Sequence, residues 1–209
     1  MAYQFNGTNQ NLQINLAQSA ACTFACWARP TNSPGAWRNL IVADVSQSLH
    51  GSNDYSNGMG FNPLGFFTAY SYIGASYESS SATAYSANTW YHCAGVWPSN
   101  NSRTGYLNGV ASSAASGTAN ISPQVIWVGA FAGVADRFQG QIAEVGIWNT
   151  DLTAAEIASL AKGMTCDKVR PQSLVFYAPL VRDLIDAKGG LTITNNNGAT
   201  VANHPRVYA

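Results

Sequence analysis

Acid–base chemistry needs carboxyl groups close together, and this chain has few of them. Its only glutamates are Glu78, Glu144 and Glu156. Glycoside hydrolysis places two carboxyl groups about 5 to 9.5 Å apart across one cleft, which on a strand means acids at alternate positions. Glu144 has no acidic residue two positions away, Glu156 falls in a helix-capping motif, and Glu78 stands in a serine-rich segment. No Gly-x-Ser-x-Gly elbow occurs. His50 and Asp54 share one irregular segment, with no third residue there to orient them. No catalytic residue is predicted, and the chain is read as non-enzymatic. Glu144 reads as a structural carboxylate paired with a cation such as Arg29. A calcium ion takes about six to eight oxygens, commonly from several carboxylates. The weak calcium candidates, Asp44, Asp54 and Asp136, are spread along the chain and meet only if the fold brings them together. No cofactor is predicted beyond that open calcium question.

Thiol chemistry is equally spare. The cysteines are Cys22, Cys26, Cys93 and Cys166. Cys22 and Cys26 lie on one face of a predicted strand, about 13 Å apart, too far to bridge. Cys22, Cys26 and Cys93 read as small core hydrophobes with reduced, buried thiols, in preference to any bridge. No C-x-x-C occurs and the three histidines, His50, His92 and His204, are scattered, which argues against zinc. Binding chemistry is better represented. Between Phe66 and Tyr91 lie Phe66, Phe67, Tyr70, Tyr72, Tyr77, Tyr85, Trp90 and Tyr91, with serine and alanine between them. Two readings stay open: ordinary core and rim aromatics of two strands, or a surface that keeps Tyr70, Tyr72 and Tyr77 available. Tyrosine offers large contact area at low entropic cost and is common on recognition surfaces.

The elements that must position these groups are legible from periodicity. In Phe138 to Gly163, the apolar residues Ile142, Val145 and Ile147 slip phase by one residue, which predicts a bulge near Ala143–Glu144. The period then changes. Thr153-Ala-Ala-Glu156 is a capping box, Leu152 and Ile157 are spaced as a hydrophobic staple, and Gly163 is placed to end a short helix at about 153–162. A first hairpin is expected from Tyr3 to Leu16, turning at Asn6 to Gln10 and returning through the alternating Leu12, Ile14 and Leu16. Strands are expected at Cys22–Ala28, Asn39–Val45, Val125–Ala130 and Leu174–Tyr177. Asn108-Gly109 marks a type I′ hairpin. Ser46 to Gly60 reads as a long exposed loop. No repeat or linker interrupts the pattern, so residues 1–209 read as one domain.

These stretches together resemble a known family. The strand FQGQIAEVGIWN with the helix motif LTAAEI, the opening YQFNGT, the strand CTFACWARP, and the pair WYHCAGVW and SRTGYLNG are similar to the laminin-G-like, concanavalin-A-like jelly-roll domains. The resemblance implies an all-β, two-sheet antiparallel sandwich in which the helix plugs one side. Glucanases of this architecture carry Glu-x-Asp-x-x-Glu on one strand, a pattern this chain lacks. Asn6, Asn9 and Gln10 stand in a turn where family members often carry Asp, which removes charge a calcium ion would use.

Two functions follow from the resemblance. Stand-alone domains that open like MAYQFNGT and close like GATVANHPRV resemble virion proteins of tailed bacteriophages. That implies a capsid decoration (cement) protein or another head or tail surface protein. Its expected partners are the major capsid protein or another virion subunit, and further copies of itself as a homo-oligomer. Its expected location is the virion, assembled in the host cytoplasm. Lys plus Arg equals Asp plus Glu at 10 each, so neither nucleic acid nor an anionic membrane is an expected partner. No apolar run approaches the about 20 residues of a membrane-spanning helix, and the first residues resemble no secretion signal. The alternative is a lectin-like, carbohydrate-binding module, possible with calcium, at a cell surface or outside the cell. For that function the resemblance implies loop aromatics that stack on sugar rings and side chains that take hydroxyls, with Trp37, Asn53, Asp54 and Tyr55 as candidates.

Overall fold

The structure, a computed structural model, describes residues 2–45, 55–131 and 135–207. Its strands, in chain order, are β1 (Ala2–Asn6), β2 (Asn11–Asn15), β3 (Cys22–Pro30), β4 (Arg38–Asp44) and β5 (Tyr55–Phe61). Then come β6 (Phe66–Ile73), β7 (Ser76–Ala84), β8 (Tyr91–Ser99), β9 (Ser102–Leu107), β10 (Val110–Ala111), β11 (Ala115–Ser116) and β12 (Val125–Val128). The long β13 (Gln139–Trp148) leads into the helix α1 (Ala154–Ala161), a 3-10 turn at Cys166–Lys168, and β14 (Leu174–Ala178), β15 (Thr194–Asn196) and β16 (Thr200–Ala202). The strands form two antiparallel sheets. A nine-stranded sheet runs β10-β9-β8-β3-β13-β1-β16, with β11 beside β9 and β14 beside β13. A seven-stranded sheet runs β15-β2-β12-β4-β5-β6-β7. This is the expected all-β sandwich.

The core between the sheets follows from alternation. Phe24 and Cys26 of β3, Cys93 and Trp97 of β8, and Ile142, Val145 and Ile147 of β13 face Leu12, Ile14, Ile41, Met59, Phe67 and Ile126 of the other sheet. All four cysteines are free and buried. Burial pushes the thiols of Cys22 and Cys26 well up from their ordinary range.

The expected first hairpin is not one. β1 pairs with β13 and β16, whereas β2 pairs with β12 and β15, so the turn at Asn6 to Gln10 carries the chain from one sheet to the other. Tyr3 and Phe5 meet Leu12 and Ile14 across the core rather than along a ladder. The turn is built on Asn6, whose Oδ1 accepts from the backbone N–H groups of Thr8 and Asn9 at 2.9 and 3.2 Å. The expected loop from Ser46 is also shorter than read. Residues 46–54 lie outside those described, and Tyr55 to Gly60 belong to β5, inside the seven-stranded sheet. Glycine and asparagine disguised that strand.

The bulge and the helix stand where their patterns place them. The register of β13 against β3 shifts between Ala143 and Gly146, and Glu144 takes φ of 53°. Thr153 Oγ1 accepts from the Glu156 N–H at 3.4 Å while Glu156 Oε2 accepts from the Thr153 N–H at 2.7 Å. Ile157 and Leu160 pack with Leu152, Trp148, Val96 and Tyr106. The helix thus seals the outer face of the nine-stranded sheet.

Candidate functional site

The outer face of the seven-stranded sheet has no such cover among the described residues. Successive strands send alternate side chains to it. From β6 come Tyr70 and Tyr72, from β12 Val125 and Trp127, and from β4 Val42, which with Phe131 form one apolar cluster that Trp37 joins. Tyr70 lies across β5 toward β4, where its hydroxyl donates to Asn39 Oδ1 at 2.7 Å. That path requires Gly58, because a Cβ there would overlap the tyrosine ring. Trp37 meets Tyr70 edge-on at 5.7 Å between ring centroids, and Tyr72 meets Phe131 edge-on at 6.3 Å. Such geometry aligns the positive ring edge with the neighbouring face. Trp37 and Tyr72 remain half-exposed. The Trp127 Nε1–H and the Ser56 hydroxyl, both buried, find no hydrogen-bond partner among the described residues.

Three carboxylates surround this cluster. Burial, and after it the charges of Asp136, Asp44 and Glu78, hold the Tyr70 hydroxyl well above its ordinary range. The fold therefore does bring Asp44 and Asp136 to one region. Yet Asp44 lies on β4 and Glu78 on β7, three strand spacings apart, or about 14 Å. That exceeds the about 5 to 9.5 Å between the carboxyl groups of glycosidases. Among the described residues no three acids, histidines or cysteines are grouped closely enough to hold a metal ion.

The structure sorts the predicted residues. Trp37, Tyr70 and Tyr72 come together on this face, although Tyr70 is buried at 5% exposure and is not a free ring. Tyr77 does not join them. It pairs with Ser71, points into the sandwich, and lies under the Arg103 guanidinium at 5.3 Å. Arg103 in turn donates to the carbonyls of Gly117 and Asn100 at 2.6 and 3.3 Å. Tyr55 opens β5 and is 38% exposed. Asn53 and Asp54 lie outside the described residues. Trp127, Phe131 and Asn39 were missed by the sequence reading. Trp127 had a signal: Ile126 and Val128 face the core, so the residue between them must face out.

The proposed Glu144–Arg29 pair does not form. Glu144 accepts from the Tyr177 hydroxyl at 2.5 Å through Oε2 and lies 2.9 Å from His204 Nε2 through Oε1. Arg29 donates to the Asn88 carbonyl and to Gln141 Oε1. The bulge turns Glu144 to the outer side of the nine-stranded sheet, where the tail segment delivers His204.

A family model described as the concanavalin A-like lectin/glucanases superfamily matches residues 6–158. The chain belongs to that superfamily. No protein of curated function matches it in sequence. Among solved structures, the superfamily fold is shared with a heptameric SAP-like pentraxin from Limulus polyphemus. That match has a TM-score of 0.66 at 14% identity and covers 95% of this chain and 93% of that one. The CBM40 of Ruminococcus gnavus IT-sialidase, bound to α2,3-sialyllactose, matches at a TM-score of 0.58 and 13% identity over 77% of this chain and 96% of that one. Tailspike protein 2 of the Escherichia coli O157:H7 bacteriophage CAB120 matches at 0.62 and 16% identity, over 87% of this chain but 27% of the tailspike. At these identities the likeness is one of superfamily fold.

Proposed function

We propose that this chain is a non-catalytic recognition protein of a bacteriophage particle, and that it binds carbohydrate through the outer face of its seven-stranded sheet. The observation that carries this reading is the half-open aromatic face on which the half-exposed Trp37 and Tyr72 pack against the buried Tyr70, Trp127 and Phe131. Aromatic rings take the C–H faces of sugars, and amides take their hydroxyls, without any ion pair. The virion setting draws support from the fold shared with a phage tailspike and from four buried free thiols, which suit assembly in a reducing compartment. The proposal includes contact with a capsid or other virion subunit and with further copies of the chain; the heptameric pentraxin uses this fold in an assembly.

The test is a glycan array with the purified protein, run beside release of the protein from purified particles. Binding to glycans should survive chelation of calcium and 1 M salt, because a contact made of rings and amides has little charge to screen. Absence of glycan binding removes the carbohydrate reading. Absence of the protein from purified particles removes the virion reading.

A further inference from the structure

Beyond the aromatic cluster, the same face carries a pocket that lies outside the stretch matched by the family model on its C-terminal side. Where β15 runs along β2, Gln13, Asn15, Leu191, Thr192 and Thr194 line a pocket of about 290 Å³ that is open to solvent. Its place is set by register. Thr194 pairs with Gln13, and Gln13 pairs on its other side with Trp127, so the pocket is one strand away from the aromatic cluster. The Gln13 amide and the hydroxyls of Thr192 and Thr194 make no hydrogen bond with other described residues. They are therefore available to a ligand.

We propose that this pocket is a subsite for one ring of an uncharged sugar, extending the carbohydrate reading above, on which it rests. The size argues for a single ring, since pockets for small molecules run from about 300 to 1,000 Å³. The chemistry argues for a sugar. Each sugar hydroxyl both donates and accepts, and an amide and two threonine hydroxyls supply both roles at short spacing. Leu191 supplies an apolar wall for the C–H face. Charge then decides the class. Among the described residues no charged side chain lines the pocket. The charges on the outward strand positions are Asp44 and Glu78, with Asp136 beside them. Arg38, opposite the inward-facing Phe61, acts on the buried Tyr85 and not on this face. A sialylated, uronic or sulfated ring would give up hydration, find no cation here, and face like charge nearby.

The experiment is a glycan array containing matched uncharged and anionic glycans, lactose and α2,3-sialyllactose among them. The best hit is then titrated against wild type, Gln13→Ala, Thr194→Val and Tyr72→Ala, each first shown to melt like wild type. The expected result is that hits are confined to uncharged glycans, and that Gln13→Ala and Thr194→Val each lose affinity at least fivefold. Hits confined to anionic glycans overturn the inference. So does wild-type affinity in both pocket variants; if Tyr72→Ala then loses binding, the carbohydrate reading stands and only the pocket falls. No binding by the wild type to any glycan overturns both.

Discussion

Each sheet of the sandwich turns an aromatic-rich face away from the shared core, and the two faces are finished differently. On the nine-stranded sheet, Trp148, Tyr106 and Tyr177 are buried under α1, the 3-10 turn and the C-terminal segment. The Trp148 Nε1–H donates to the Val169 carbonyl at 2.9 Å, and Glu144 is answered by Tyr177 and His204. On the seven-stranded sheet, Trp37 and Tyr72 stay half-exposed, and buried groups of Trp127 and Ser56 have no partner among the described residues. Aromatic area left open forgoes stabilisation that burial would bring. A contiguous apolar patch on a folded surface commonly marks an interaction site. The sealed face therefore serves stability, while the open face is the one on which recognition is proposed.

Breaking the sealed face gives the largest effect. Trp148→Ala removes a fully buried ring together with its hydrogen bond, and is expected to cost about 3–5 kcal/mol in urea denaturation. If stability falls by less than about 1 kcal/mol, the helix does not seal this face as described.

A pH titration sharpens the same point. His92, also on the sealed face, lies beside Trp27 with ring centroids 5.5 Å apart, and burial pushes its pKa down from 6.5 to about 3. The unfolded chain binds a proton near 6.5 while the folded chain does not, so His92 favours folding fully above that value. This contribution is lost progressively as pH falls from about 6.5 through about 3, at about 1.4 kcal/mol per unit. His92→Gln should flatten that acid limb, and NMR should find the His92 ring neutral at pH 5. A protonated ring at pH 5 contradicts the burial.

On the open face, Tyr72→Ala should leave the melting temperature within about 2 °C of wild type and weaken glycan binding at least about tenfold. The reverse pattern, lost stability with unchanged binding, would make this face a second structural one. The smallest effect is expected from Thr153→Ala, which removes the cap of α1 at a cost of about 0.5–2 kcal/mol without touching binding. Part of that loss should vanish in acid. Burial raises the Glu156 pKa, but hydrogen bonds from Thr153 and Arg170 outweigh it and hold the carboxyl below its ordinary range. Its contribution is therefore present above the unfolded value and lost as pH falls through the folded one.

Much of the fold was legible because its signals are local. The capping box needs four residues, the Asn108-Gly109 turn needs two, with φ of 52° and 81°, and the bulge at Glu144 shows as a slip of apolar phase. Alternation marked which cysteines face the core. The site was legible only in part. Trp37, Tyr70 and Tyr72 stood out by type, while Trp127 was hidden between two core residues and Gln13 had nothing to distinguish it.

What the residues determined by themselves was most of the strands, though not β5, the helix and its cap, and the scarcity of acids suited to catalysis. These depend on contacts a few residues apart, where spacing alone decides which groups can meet. What only the tertiary structure decided was which sheet each strand joins, and so which side chains share a face. The turn at Asn6 to Gln10 looks the same in a hairpin and in a crossover, and long-range pairing placed β1 beside β13 and β2 beside β12. The same pairing placed Tyr77 under Arg103, gave His204 rather than Arg29 to Glu144, and set Gln13 beside Trp127. A side chain's partner is fixed by strands closed over long stretches of chain, and no short spacing in the sequence carries that information.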